Sequence, residues 1–277
     1  MLAKPVNWGL IQDDENDFIK SQPKLDGIRC YITKYGAFSR NHKEFLSIDH
    51  IQTELADIFI EMGEGLVLDG ELYNHDFKDN FNEITSMVRR EPKTQEDIDR
   101  CVDNLQFHCY DVYMPWASDL EFTERNEWIY ENLKGYEYTH IVPTYSTLYA
   151  WDVEDCHKMN LEAGYEGTIV RLDTPYEQKR SNNLMKVKDF VDAEAEIIGY
   201  VEGKGKLENA LGKFVMQDSE GRTFGCPPGG ESHAVRKIMW EQRDNYIGKL
   251  ATFEHFGLTP GAKSYRHPMF KGLRDYE

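Results

Sequence analysis

The sequence predicts an α+β fold in two parts, a large mixed domain over residues 1–190 and a small, mostly β domain over residues 191–277. Length indicates two domains, because 277 residues exceed the usual size of one domain. Patterning indicates their classes, since helical and strand-like segments alternate in the first part and short strand-like runs dominate the second. Charge also separates them: the first part carries 20 basic and 36 acidic residues, the second 12 and 13.

Apolar spacing and turn residues predict the elements of the first domain in order. A strand over 30–38 is closed by the polar turn 39–43. Residues 48–59 have near-helical apolar spacing, with Ser47 as the N-cap. The later predicted elements are a strand over 65–72, a helix over 81–90, a polar loop over 91–103, a strand over 105–113, a helix over 123–133 capped by Thr123, an edge strand over 141–143, a helix ending at Ala163 and a strand over 164–171.

The second domain has a different texture. Strand-like runs are predicted over 195–201, 213–217, 222–225 and 250–256, and one helix over 232–244 interrupts them. A mostly β unit with a single internal helix fits a small closed or partly open β-barrel. The OB-fold, which often binds nucleic acids, is one barrel of this type.

The turn over residues 23–29 (PKLDGIR) bears most directly on function. A lysine amine attacks phosphorus or carbon only when neutral, and its ordinary pKa of about 10.4 keeps it protonated at neutral pH. A neighbouring cation such as Arg29, or a bound metal, would lower the pKa of Lys24. The alternative is a surface turn between two strands, because Asp-Gly is a strong turn signal. The turn alone leaves both interpretations open.

Several classes of protein are disfavoured by what the sequence lacks. No apolar run approaches the roughly 18 residues of a membrane span, and residues 1–10 have no apolar segment of the secretory type. Five cysteines without a C-x-x-C pair indicate neither a zinc site nor a disulfide framework. We therefore expect a cytoplasmic protein without membrane association.

Net charge gives a mixed indication about nucleic acids. A formal charge of −17 argues against them, because phosphate binding requires a basic surface. The acidity belongs to the larger domain, however, and residues 179–188 and 263–274 contain no acidic residue. Two basic patches on an acidic body are compatible with DNA.

Five further motifs accompany the Lys24 turn, and the complete set resembles a known superfamily. They are Ser39-Arg40-Asn41, Asp69-Gly70-Glu71, Tyr110-Asp111, Glu166-Gly167-Thr168-Ile169-Val170-Arg171 and Lys186-Val187-Lys188. In this order and spacing they resemble the covalent nucleotidyltransferases, and most closely the ATP-dependent DNA ligases, over essentially the whole chain. The resemblance implies an ATP-grasp-like two-sheet nucleotidyltransferase domain followed by an OB-fold.

The resemblance implies roles around the nucleotide. Lys24 matches the lysine that becomes adenylylated, and Gln22 stands where the family reaches the adenine amino group. Glu71 would accept hydrogen bonds from the ribose hydroxyls. Tyr110 and Ile169 would enclose the adenine, with an aromatic ring on one face and a branched aliphatic side chain on the other. ATP is the implied AMP donor.

Phosphates and metal are assigned in the same way. Glu166 would hold Mg²⁺, with Mn²⁺ as a substitute, because a carboxylate is a hard oxygen ligand. Arg29, Lys186 and Lys188 would neutralise the α-phosphate and help to lower the pKa of Lys24. Arg40 would contact the phosphate of a nick.

The C-terminal segment resembles the end of the ligase OB domain. Arg266 and Arg274 would contact DNA or pyrophosphate there. The sequence departs from the family pattern at 274–277, where the family commonly has an acid and then a lysine after the second arginine, but this chain reads Arg-Asp-Tyr-Glu. The segment before Lys24 is too short for an additional DNA-binding domain, so we expect a minimal two-domain form.

The implied activity is the sealing of 5′-phosphate/3′-hydroxyl nicks in duplex DNA, as used in replication, repair and recombination. Each motif also has an ordinary structural explanation: Asp69-Gly70-Glu71 as a strand-end turn, Tyr110 as a core aromatic and Lys186 with Lys188 as solvated residues. An RNA ligase or a capping guanylyltransferase would share Lys24, and a non-catalytic nucleic-acid-binding module would be expected to lack it. Gln22 and the segment 266–268 favour ATP and DNA.

Overall fold

The computed structural model describes residues 1–11, 19–78, 80–147, 150–259 and 263–274. The chain divides into two compact units, Met1–Lys188 and Asp189–Glu277. Helices and strands are mixed in the first unit and strands dominate the second, which confirms the predicted α+β class. The predicted domain boundary at residue 190 remains a prediction. Across the described ranges, no helix is both long and apolar enough to cross a bilayer.

The first unit contains two five-stranded sheets. Its strands are β1 (Leu2–Pro5), β2 (Ile19–Lys24), β3 (Ile28–Thr33), β4 (Gly36–Ser39), β5 (Val67–Tyr73), β6 (Gln106–Tyr113), β7 (Thr139–Ile141), β8 (Tyr145–Thr147), β9 (Gly167–Arg171) and β10 (Arg180–Val187). The first sheet has the order β1-β10-β9-β2-β8 and the second the order β4-β3-β5-β6-β7. The segment between β2 and β3 therefore passes from one sheet to the other.

Helices cover both sheets of this unit. They are α1 (Asp49–Glu54), α2 (Ala56–Met62), α3 (Phe81–Val88), α4 (Gln95–Asn104), α5 (Phe122–Asn132) and α6 (Ala150–Glu162). The larger apolar core joins the second sheet to residues of α1, α2, α3 and α5, and fully buries Ile32, Leu68 and Phe107. A smaller core joins the first sheet to α6 through Val153 and Val170. Burial of these apolar faces supplies most of the driving force for folding.

A β-bulge re-aims one strand of the second sheet. In the pairing of β5 with β6, Asp69 lies opposite Asp111 and Gly70 lies opposite Cys109, so Tyr110 has no partner between them. A bulge leaves its extra residue outside the regular alternation and bends the strand. Cys109 and Asp111 are fully buried on either side, whereas Tyr110 keeps partial exposure. Tyr110, which the bulge leaves without a partner in β5, is partly buried against the larger core.

The predicted strand over 30–38 is wrong as a single element. The segment is a hairpin of β3 and β4 that turns at Lys34 and Tyr35. Gly36 has φ of +137°, a backbone conformation that glycine adopts without steric penalty. The edge strand β7 ends at Ile141, where the predicted one begins. The sequence pattern also fails to predict β1, β2 and β8, because these strands are short or polar.

The polar segment 91–103, predicted as a loop, contains most of helix α4. The Thr94 side-chain oxygen accepts from the Asp97 N–H at 3.1 Å, and the Asp97 carboxylate accepts from the Thr94 N–H at 3.2 Å. This capping box satisfies two backbone donors at the helix start. Cys101 is the single buried residue of α4, and the few apolar residues at helical spacing (Ile98, Cys101, Val102 and Leu105) stand in a segment that is otherwise polar.

Two predicted N-caps are also wrong. The predicted helix over 48–59 is divided into α1 and α2, and Ser47 donates its hydroxyl to the Val88 carbonyl oxygen at 3.4 Å. Helix α5 begins one residue before the predicted cap Thr123, whose hydroxyl donates to Asp173 at 2.6 Å. In both cases the hydroxyl donates to a residue distant in sequence, so it does not cap the start of the helix as the local pattern predicted.

The second unit is one five-stranded antiparallel sheet with a helix. The elements are β11 (Val191–Glu202), β12 (Leu211–Gln217), β13 (Thr223–Cys226), α7 (His233–Glu241), β14 (Leu250–His255) and β15 (Met269–Leu273). The sheet has the order β13-β12-β11-β14-β15, and an isolated bridge between Pro228 and Phe270 joins the segment after β13 to β15, as closure of a barrel requires. The four predicted strands and the predicted helix are confirmed, with Ser232 as the N-cap of α7, whereas β15 was not predicted.

Candidate active site

Lys24 is the last residue of β2, where the chain leaves the first sheet. Its neighbour across the sheet is Gly167 of β9, and its carbonyl oxygen accepts from the Glu166 N–H at 3.1 Å. The Lys24 ammonium forms an ion pair with one carboxylate oxygen of Glu166, and the Lys188 ammonium pairs with the other oxygen. The Lys24 side chain is 20% exposed and the Glu166 and Lys188 side chains are each 11% exposed. These three predicted site residues therefore form one partly desolvated charge cluster.

Two glycines allow the backbone to approach closely around this lysine. A Cβ atom on Gly27 would lie 2.4 Å from the carbonyl oxygen of Leu72 in β5, and a Cβ atom on Gly167 would lie 2.3 Å from the carbonyl oxygen of Val187. Neither position can hold a side chain without movement of the backbone. The Asp-Gly turn after Lys24 thus connects two sheets tightly, and it is not the hairpin turn of the alternative interpretation.

A cavity of 280 Å³ opens beside Lys24. Its walls come from both sheets and include residues of β2, β5, β6, β9 and β10. Eight predicted site residues line it, namely Gln22, Lys24, Arg29, Arg40, Glu71, Tyr110, Ile169 and Lys186. Of the other four, Glu166 and Lys188 are joined to the cavity by the Lys24 ion pair, and Arg266 and Arg274 belong to the second unit.

The carboxyl group of Glu71 is unusual for its charge state. Desolvation in the cavity wall raises its pKa from 4.5 to about 8, although the positive charges of Lys24 and Arg29 act in the opposite direction. At neutral pH the carboxyl group is therefore mostly protonated. A neutral carboxyl group donates one hydrogen bond and accepts others, which suits a pair of sugar hydroxyls.

Lys186 is the second amine at the cavity. Burial lowers its pKa, and repulsion by Lys24 and by Arg180 lowers it further. Lys186, Lys24 and the carboxylate of Glu166, which Lys24 shares with Lys188, form a site suited to phosphate chemistry.

Arg29 is held by a carboxylate that the sequence analysis did not assign to the site. Its guanidinium donates to both oxygens of Asp69, at 3.0 Å and 2.8 Å. The hydroxyls of Tyr110 and Tyr176 also donate to Asp69, at 3.3 Å and 2.7 Å. Asp69 is 2% exposed. Through these hydrogen bonds it fixes the positions of the Arg29 guanidinium and the Tyr110 ring. The sequence signal that could have identified Asp69 is its place in the Asp69-Gly70-Glu71 motif, two residues before Glu71.

A second buried carboxylate, Asp111, holds Arg171, which lines the cavity. Asp111 accepts from Arg125 Nε at 2.8 Å and from Arg171 Nη1 at 2.7 Å. Burial opposes ionisation of Asp111, but the two guanidinium groups hold its pKa below the usual range. Arg171 also donates through Nε to Gln22 Oε1 at 2.7 Å. Asp111 and Arg171 end two of the quoted motifs, yet the sequence gives no indication that they meet.

The two predicted arginines of the second unit lie near its last strand. The backbone of Arg266 exchanges hydrogen bonds with Phe256 and Gly257, at 3.0 Å and 2.9 Å. Arg274 follows β15 and forms an ion pair with Glu194 of β11. The acid that follows Arg274 in sequence lies outside the described residues. Contacts of either arginine with DNA or pyrophosphate stay predictions.

Comparison with known families follows the same division into two parts. Residues 1–188 match the family described as ATP dependent DNA ligase domain, and residues 202–274 match the DNA ligase OB-like domain. A solved structure of a Lig E DNA ligase superposes with a TM-score of 0.77 at 22% identity, covering 99% of this chain and 98% of the other. The predicted nucleotidyltransferase and OB-fold architecture is thereby confirmed.

Curated relatives are DNA ligases of viruses and bacteria. The African swine fever virus enzyme (isolate Tick/South Africa/Pretoriuskop Pr4/1996) is 25% identical over 269 residues, which cover 90% of this chain and 61% of the relative. This chain thus spans about three fifths of the length of that relative. The Haemophilus influenzae enzyme is 26% identical over 248 residues, covering 87% of this chain and 81% of the relative. With a family match over residues 1–188 of 277, the chain belongs to the family of ATP-dependent DNA ligases.

Proposed function

We propose that this protein is an ATP-dependent DNA ligase that seals 5′-phosphate/3′-hydroxyl nicks in duplex DNA through an AMP group carried on Lys24. The observation that carries the proposal is the convergence at one cavity of Lys24, a carboxylate in contact with it, and walls suited to a purine nucleoside. Family membership supports the same reaction. We further propose that the protein acts as a monomer in the cytoplasm of a bacterium or of a cell infected by a virus; the relatives it matches are DNA ligases of viruses and bacteria.

In the first step the Lys24 nitrogen attacks the α-phosphorus of ATP. A nitrogen–phosphorus bond forms, the bond to the bridging oxygen breaks, and pyrophosphate leaves. Lys24 must lose a proton first, and Glu166 is the carboxylate in contact to receive it. Lys186 and Lys188 place positive charge where negative charge develops on the phosphate oxygens.

Mg²⁺ fits this site as an ion that arrives with ATP. Among the residues that the structure describes, no cluster of three or more His, Cys, Asp or Glu side chains is arranged to hold a metal. Mg²⁺ is usually held by one or two carboxylates together with substrate phosphates, and Glu166 provides one such carboxylate. When bound there, the ion would neutralise charge on the phosphates. Mn²⁺ would substitute in the same oxygen environment.

The walls of the cavity account for nucleoside binding. Tyr110 and Ile169 offer an aromatic and a branched aliphatic surface on which a purine ring would lie. Glu71 would bond the ribose hydroxyls, and Gln22 would contact the exocyclic amino group of adenine. When the base and the sugar are held, the α-phosphorus lies against Lys24. This positioning accounts for much of the expected acceleration.

Two further transfers would complete the reaction. An oxygen of the nick 5′-phosphate attacks the phosphorus on Lys24, so AMP moves to the DNA and the lysine is freed. The 3′-hydroxyl oxygen then attacks the 5′-phosphorus, and AMP leaves as the DNA strand is closed. Arg40, exposed in the turn after β4 and at the rim of the cavity, would bind the nick phosphate.

The first test is covalent labelling. The protein is incubated with α-labelled ATP or GTP and Mg²⁺, and acid-labile label on the chain is measured for wild type, Lys24→Ala and the exposed control Lys134→Ala. We expect label from ATP on wild type and control and none on Lys24→Ala. Label retained in Lys24→Ala would refute the assignment, and label from GTP alone would indicate a capping guanylyltransferase.

The second test concerns the acceptor. Nicked DNA duplexes and nicked RNA duplexes are offered to the adenylylated protein, and sealing is followed by the length of the closed strand. We expect closure of the DNA nick. Closure restricted to RNA would identify an RNA ligase instead.

A further inference from the structure

Both hydrogens of the Gln22 side-chain amide are bonded to other protein groups. Gln22 is 1% exposed yet contributes to the cavity wall. Nε2 donates to Thr144 Oγ1 at 2.9 Å and to the carbonyl oxygen of Tyr110 at 3.3 Å. Thr144 in turn donates to Asn126 Oδ1 at 3.1 Å, so its hydroxyl acts as an acceptor toward Gln22. Both amide hydrogens are therefore used.

The acceptor side of the same amide is oriented by Arg171. Arginine has donors only, so the amide atom that faces its Nε at 2.7 Å must be the oxygen. An amide oxygen has two lone pairs, and Arg171 occupies one of them. What Gln22 can still offer to a ligand in the cavity is one acceptor and no donor.

Arg171 is itself held rigidly. Its Nη1 donates to Asp111 at 2.7 Å, and the Asp111 side chain has no exposed surface. Arg125 Nε donates to the other oxygen of Asp111 at 2.8 Å. The Arg171 guanidinium also lies 4.6 Å from the ring centroid of Phe122. A bidentate, planar side chain with this many partners keeps a single orientation.

We propose that Arg171 is a positioning residue that sets base selectivity, because it locks the Gln22 amide with its oxygen available to the nucleotide. The proposal rests on the proposed function, in which Gln22 contacts the purine. An adenine presents an amino donor at C6, which an acceptor binds. A 6-oxo purine presents an acceptor there, and two acceptors that face each other in a desolvated site repel.

Loss of the hydrogen bonds that hold the Gln22 amide should change which nucleotide is preferred, whereas general damage to the site should not. Without Arg171, or without the acceptor on Thr144, the amide can rotate or free a hydrogen and then donate to a 6-oxo group. The structure thus predicts a change in preference toward inosine triphosphate, which differs from ATP at this edge of the base. A purely structural role would reduce the use of both nucleotides by the same factor.

The experiment uses two variants that act on opposite ends of the lock. Arg171→Lys keeps a positive charge beside Asp111, but one ammonium cannot reproduce the forked contact to Asp111 and Gln22. Thr144→Val removes one acceptor without altering charge. Arg100→Lys, an exposed residue paired with Glu83, is the matched control. For each protein kcat and KM of lysyl-nucleotide formation are measured with ATP and with inosine triphosphate, and folding is checked by circular dichroism.

We expect the ratio of kcat/KM for ATP to that for inosine triphosphate to fall about tenfold to a hundredfold in both variants, mainly through KM, and to stay unchanged in the control. Equal losses with both nucleotides would overturn the proposal. If wild type formed no lysyl-nucleotide at all, the proposed function would fail. The proposal would then be decided by equilibrium dialysis, where wild type should bind ATP more tightly than inosine triphosphate and the variants should not.

Discussion

The raised pKa of Glu71 leads to a quantitative prediction for the free energy of unfolding as a function of pH. The perturbation is Glu71→Gln, which keeps the shape of the side chain and removes its ionisation. In the folded protein burial raises the pKa of this carboxyl group from 4.5 to about 8. Between these pH values the unfolded chain has released the proton and the folded chain still holds it. Folding stability of the wild type should therefore fall as pH rises through this window.

The magnitude follows from the same two pKa values. Proton linkage between pH 5 and pH 8 gives a loss on the order of 3 kcal/mol for wild type relative to the glutamine variant. This is an upper value, because part of the Glu71 surface remains in contact with solvent. With a urea dependence of roughly 3 kcal/mol per molar, the midpoint difference between the proteins should change by about 1 M over the pH range.

The assay is urea unfolding at pH 5, 6, 7 and 8, followed by tryptophan fluorescence. Four of the five tryptophans, Trp8, Trp116, Trp128 and Trp151, belong to the first unit, so the signal reports mainly on it. Glu131→Gln, an exposed glutamate on α5, is the control and should run parallel to wild type. Parallel curves for wild type and Glu71→Gln would refute the reasoning, since the carboxyl group would then ionise as it does in water.

Two further predictions concern the backbone of the Lys24 turn and the DNA contact. In Gly27→Ala the new Cβ would lie 2.4 Å from the Leu72 carbonyl oxygen, so β5 must shift, and lysyl-AMP formation should fall by at least about tenfold, as a 1 Å displacement of reacting groups can do. Gly9→Ala, with its nearest atom at 3.4 Å, should behave as wild type, and equal labelling of both variants would contradict the steric argument. For Arg40→Gln, binding to nicked DNA should lose about one unit of the slope of log K against log salt between 50 and 200 mM. Arg100→Gln is the control, and an unchanged slope for Arg40→Gln would exclude a phosphate contact.

The motifs predicted the candidate site better than periodicity predicted the fold around it. Residues that share one chemical task lie in short segments, so the resemblance to the ligase family could assign roles to Lys24 with Gln22, and to Glu166 with Ile169, motif by motif. The structure brings these segments to one cavity, together with Glu71 and Tyr110. Their roles toward nucleotide and DNA stay predictions until the labelling and sealing experiments are done.

Elements with little apolar content were missed for a physical reason. Helix α4 begins with the Thr94 capping box and buries a single residue, so its few apolar residues at helical spacing were overlooked in a mostly polar segment. Strand β2, which carries Lys24, includes polar residues and a proline. Its stability comes from pairing with β9, whose residues follow more than 140 positions later in the chain. Patterns read over short windows cannot detect such a pairing.

The sequence by itself determined which residue types can perform the chemistry and in which order they occur. No single motif was sufficient: the roles of the Lys-x-Asp-Gly and Glu-Gly segments came from the resemblance of the complete motif set to the ligase family. Only the tertiary structure decided that the Lys24 turn joins two sheets, that Asp69 holds Arg29, and that Arg171 orients Gln22. Hydrogen-bond direction and pKa depend on partners that are close in space and far apart in sequence. Those properties therefore emerge only when the two sheets are packed together.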